Sequence, residues 1–202
     1  MKPDNVGLKV TTLDALAYLV PGTLLLWVLV QVEAARVGFL PADWPVTALD
    51  SAAAVALIVV LGVAMQMLGH VFKPVYDRVY KPWRRRKGDP VKARFDDRIA
   101  AEGVAFPQPY TYAKSALANA ERPVDRVLML EGISKMFRAV ALGGLVTTGL
   151  AAALEWWSIA ALSIAVLLSA FWVHAHYRFE ATQEVYQAYL QWRETPEKPV
   201  KR

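Results

Sequence analysis

Three residues in one apolar stretch, Gly62, Gln66 and His70, recur at i, i+4 and i+8, a spacing that places them on one face of a helix. Polar side chains inside an apolar segment are costly, so such a face either lines water or packs against protein. In the first alternative the stripe is a conduction path. In the second, Gly62 admits a neighbouring helix and Gln66 bonds across the contact. A second group is basic: Arg84, Arg85, Arg86 and Lys87 run unbroken, with Lys92, Arg94 and Arg98 close behind and Tyr76, Tyr80 and Trp83 just before. Cations at this density hold phosphate, in lipid head groups or in a soluble ligand. Lys114, Arg122 and Arg126 extend the basic surface.

His174 and His176 stand two apart, about 200° around a helix, whereas one metal ion needs i, i+4 spacing. The chain has no cysteine, so thiolate ligands and a cysteine nucleophile are excluded. Phosphate-loop, nucleophile-elbow, zincin and dinucleotide-turn motifs are missing too. No catalytic residue, metal or cofactor is expected, and the chain does not read as an enzyme.

The elements that carry these residues are helices. Of 202 residues 55% are hydrophobic, with mean hydropathy +0.27. The apolar residues gather in four blocks: Leu13–Val32, Ala52–Phe72, Ala139–Trp157 and Ile159–Tyr177. The second holds 21 uncharged residues, enough to cross a hydrocarbon core of ~30 Å at ~1.5 Å per residue. The first block exceeds a signal-peptide core in length and reads as a span. Within it Pro21-Gly22 marks a kink, as a packing feature or as a hinge.

The expected fold is all-α and polytopic, with four transmembrane helices and a helical cytoplasmic region. It divides into residues 1–72 (first two spans), 73–138 (a basic helical insert), 139–177 (spans three and four) and 178–202 (a C-terminal helix and tail). Helix breaks are expected at Pro74, Pro82, Gly88-Asp89-Pro90, Gly103 and Pro107-Gln108-Pro109. A helix from Val124 continues into the third block, and Glu155 to Ser158 forms a tight turn. Of the 23 Lys and Arg, 22 fall in residues 1–12, 73–138 and 178–202. The positive-inside rule then puts both termini and the insert in the cytoplasm.

Two further surfaces read as packing faces. Gly143, Gly144, Thr147, Thr148 and Gly149 let helix backbones approach, within or between subunits. Tyr177, Ala181, Val185, Ala188, Tyr189 and Trp192 form one side of an amphipathic C-terminal helix, which needs a partner. The insert offers Phe95, Ile99, Phe106, Val127, Leu128 and Phe137.

With its YLVPG early in the first span, and RRRK and then VKAR in a basic region continuous with the spans, the chain resembles the small multi-span membrane effectors of bacterial anti-phage defence, including the Hailong-type four-span channel effector. The resemblance implies a homo-oligomeric pore gated through the basic region by a nucleotide or oligonucleotide, with membrane lipids as partners. A second reading is a membrane scaffold that recruits a cytoplasmic protein through residues 73–138.

Overall fold

A computed structural model describes residues 15–26, 30, 48–85, 89–103 and 108–194. They are almost all helical, with no strand among them. Six helices are labelled here: α1 Ala15–Leu26, α2 Ala48–Leu68, α3 Pro90–Ala101, α4 Pro109–Asn119, α5 Asp125–Ala153 and α6 Trp157–Glu194. Three helical stretches are long and apolar enough to cross a membrane: Ala52–Arg84, Asp125–Ala153 and Trp157–Glu194. The fourth expected span enters as α1, a shorter apolar helix, and the rest of that block lies largely outside the described residues.

The apolar ends of these helices turn many large aliphatic side chains outward. Val60 is 62% exposed, Leu162 67% and Met67 70%. Outward-facing aliphatic surface along whole helices is what a hydrocarbon solvent permits and water does not.

The stretch after α2 corrects two expected breaks, because the helix runs through both Pro74 and Pro82. Proline removes the N–H that would reach the carbonyl four residues back. At Pro74 the orphaned carbonyl is that of His70, and the N–H of Lys73 bonds to it through a 3₁₀ turn at Gly69–Phe72. Before Pro82, a π turn at Tyr76–Tyr80 lets the N–H of Lys81 reach the carbonyl of Tyr76. Local rewinding keeps the chain helical where uniform α geometry would stop. The expected break at Asp89 is present: its carboxylate caps α3 by accepting from the N–H of Lys92 at 2.9 Å, with Pro90 at the first helical position.

α5 and α6 form the long antiparallel pair of the molecule. Their connection is tight because Glu155 takes φ 62°, while the N–H groups of Glu155 and Trp156 return to the carbonyls of Ala152 and Ala151. That is a Schellman closure with glutamate in the left-handed position. Gly144 lets the pair close, since a Cβ there would lie 3.0 Å from the backbone nitrogen of Leu167.

Beyond the apolar region α3, α4 and the polar ends of α5 and α6 build a cap with its own core. Phe95 stacks on Tyr186 at 4.2 Å between ring centroids, alongside buried Leu117, Val127, Val185 and Tyr189. The amphipathic end of α6 therefore packs on the insert, with Ile99, Ala188 and Trp192 at the margin. Phe137 does not join this core; it lines an apolar groove between α5 and α6 with Val140 and Val173.

At the opposite side α1 crosses α2 at backbone contact. A Cβ on Gly62 would lie 2.0 Å from the carbonyl oxygen of Tyr18, and one on Gly22 1.9 Å from that of Ile58. Neither carbonyl can yield without its helix moving. Gly62→Ala should therefore lower stability by about 3 kcal/mol. Denaturant unfolding in detergent measures this, with Gly149→Ala, whose Cβ would meet open space, as the near-neutral control.

Candidate functional site

Where the apolar helices meet the cap, the chain encloses a cavity of about 640 Å³, within the range of small-molecule sites. Its wall is unusual in charge. Lys73, Lys81, Lys92, Lys135, Arg138 and Arg178 line it, against the two carboxylates of Asp77 and Glu131. Lys81 pairs with Asp77 at 3.7 Å, and Lys92 pairs with Asp96. Glu131 is engaged by Lys114 Nζ at 2.6 Å and by the Tyr110 hydroxyl. Lys73, Lys135, Arg138 and Arg178 make no ion pair among the described residues. Cations gathered around one cavity repel each other until an anion enters.

The sequence brings them together simply. Lys73, Arg138 and Arg178 are each the first charge beyond an apolar block. Three helices whose apolar parts lie side by side must present those charges at one level.

The N-terminus of α4 opens on the same space, with Gln108, Pro109, Tyr110 and Thr111 in the wall. It has no side-chain cap, and a helix N-terminus carries unsatisfied N–H groups and a positive partial charge. Glu131 holds α4 in this position. Burial disfavours its charged form, but the bonds from Lys114 and Tyr110 outweigh that and keep its carboxyl below the ordinary 4.5. Burial and the same bond to Glu131 push the Tyr110 hydroxyl well above its usual range. Arg178 lies over the Tyr110 ring at 5.2 Å.

Arg138, in the cavity wall, reaches behind it to Gln66. Gln66 is buried, and its amide nitrogen donates to the carbonyls of Ala17 at 2.8 Å and Lys135 at 3.0 Å. Arg138 donates to the Gln66 carbonyl and side-chain oxygens at 3.2 and 3.3 Å, while its Nε–H is buried with no acceptor among the described residues. The guanidinium lies over Gly69, where a Cβ would stand 3.1 Å from it. Comparison with known protein families, characterised proteins and solved structures returns no match.

The residues singled out in the sequence separate into two sets. Gly62 and Gln66 face α1 and α5 within this one chain, and His70 is exposed at the cavity rim. Pro21 and Gly22 are buried within a helix that continues through them. In the basic run Arg84 pairs with Glu180 at 3.8 Å and Arg94 with Glu194 at 2.7 Å. Arg98 bonds Glu102 at 3.0 Å, a carboxylate that also receives Tyr189 and Arg193. The side chain of Arg85, and Arg86 and Lys87 altogether, lie outside the described residues. Of the expected phosphate ligands among the described residues, only Lys92 lines the cavity. Lys73, Lys135, Arg138 and Arg178 were missed because each stands alone in sequence.

His174 and Ser134 form a close pair between α5 and α6, with Oγ and Nδ1 2.9 Å apart. The same Nδ1 lies 2.9 Å from the carbonyl oxygen of Ser134, an acceptor, so Nδ1 carries a proton and cannot take one from the hydroxyl. The pair is a helix clamp rather than a nucleophile and base. Among the described residues no group of three His, Cys, Asp or Glu is placed to hold a metal.

The Glu131 contacts make the cap sensitive to acid. A carboxyl with a depressed folded value contributes stability that is complete above 4.5 and lost as pH falls through the folded value. Glu131→Gln should lower stability at neutral pH and flatten the fall below pH 4.5. Thermal unfolding midpoints of both proteins between pH 3 and 7 measure the difference.

Proposed function

We propose that this chain is a four-span inner-membrane protein with both termini cytoplasmic, acting as a homo-oligomeric channel effector. It is gated from the cytoplasmic side by a phosphate-bearing ligand of the nucleotide or oligonucleotide class. The observation that supports this most is the cation-lined cavity at the junction of cap and apolar helices. A ligand there touches α4 of the cap, both long helices and, through Arg138, the Gln66 contact to α1. Binding energy at such a point acts on the relative position of both layers.

The contacts of Gln66 favour a second reading in one respect. Its amide is occupied inside the chain, so a conduction path would run between copies rather than along this stripe. Without such a path the chain is a scaffold whose cap recruits a cytoplasmic protein.

Reconstituted liposomes separate the two. Under the channel reading, ATP or a short DNA oligonucleotide on the cap side raises ion flux above that of empty liposomes, and Lys135→Gln with Arg178→Gln abolishes the rise. Flux equal to that of empty liposomes with each ligand, from protein that is oligomeric and folded, supports the scaffold.

A further inference from the structure

We propose that the junction cavity recognises a phosphate group, received by Lys135, Arg138 and Arg178 at the N-terminus of α4. This deepens the gating reading above by naming what the cavity binds and where, and the binding stands whether or not the chain conducts. Four observations converge on it. The cavity has room for a head group or a small phosphate ester. Its cations outnumber its carboxylates, and both of those carboxylates already have partners. The first turn of α4 faces it without a cap, as at anion sites on helix N-termini. Arg138 Nε is the one buried side-chain donor without an acceptor among the described residues, so this guanidinium keeps donor capacity for an entering phosphate oxygen.

A halide, with no pair of oxygens to offer, fits this wall less well. A guanidinium can pair two N–H groups with two oxygens of one phosphate, and Arg178 offers such a fork on α6, while Arg138, whose Nη2 is held by Gln66, adds its remaining donors from the facing helix. The cavity opens one turn beyond the ends of the apolar blocks, at the level of lipid head groups. The phosphate can therefore belong to an anionic lipid or to a soluble ligand.

The test uses the full chain in phosphatidylcholine nanodiscs. One arm titrates pyrophosphate by calorimetry; the other exchanges in phosphatidic acid and counts retained lipid by native mass spectrometry. Saturable binding in the first arm identifies a soluble phosphate, and in the second a lipid phosphate. In the arm that binds, Lys135→Gln with Arg178→Gln should weaken affinity about tenfold or more. Arg122→Gln, outside the cavity wall, should leave it unchanged. Because Arg178 also stacks on Tyr110, Lys73→Gln with Lys135→Gln, both exposed, serves if the first pair does not fold. No saturation in either arm, or binding by the folded variants as tight as wild type, overturns the proposal.

Discussion

A buried side-chain amide must have its hydrogen bonds made by protein, because the surroundings offer no water to make them. Gln66 meets that requirement by drawing three helices to one point: α1 at Ala17, its own helix, and α5 at Lys135 and Arg138. Removing any partner leaves a buried donor or acceptor unmatched, which costs more than the bond itself contributes. The surrounding glycines follow from the same contact. Gly22 and Gly62 let α1 come near enough for the Ala17 carbonyl to be reached, and Gly69 leaves space for Arg138.

This knot sits where two different kinds of packing meet. On one side helices expose aliphatic surface and touch through small residues. On the other, an aromatic core around Phe95, Tyr186 and Tyr189 holds the cap. Carboxylates fasten the cap helices to the long pair: Glu131 secures α4 to α5, Glu102 secures the end of α3 to α6, and Asp89 receives Gln183 at 2.8 Å. Since α5 and α6 run through both regions without a break, neither region moves without pulling on the other. The cavity is the space left between them, and its charge is what remains after the carboxylates have been used as fasteners.

Much of the fold was legible because it depends on composition over long windows. Long apolar runs gave the helices of the apolar region, and the stripe of Val185, Ala188, Tyr189 and Trp192 foretold the docking of α6 on the insert. The local signals were weaker. Pro74 and Pro82 read as stops, since the rule of a missing N–H does not say whether neighbouring turns can rewind; here they do, serving the His70 carbonyl at Pro74 and widening to a π turn before Pro82. The candidate site was the least legible part. Density drew attention to the run from Arg84 to Arg98, whose described members are mostly in ion pairs, whereas the unpaired cations lie singly at positions 73, 135, 138 and 178. What unites them is the level at which three apolar helices end. For Lys73, Arg138 and Arg178 sequence contains that signal, as the first charge flanking each block, but it becomes a site only once the helices are known to lie side by side.

The account rests on Gln66 and Arg138 acting as one unit, and a double-mutant cycle tests that directly. Gln66→Leu, Arg138→Gln and the combined variant would be unfolded by denaturant in the same detergent. If the two residues form one contact, the combined cost falls short of the sum of the single costs by about 1 kcal/mol or more. Costs that add within roughly 0.5 kcal/mol would mean that the two side chains are energetically independent, and would contradict the account.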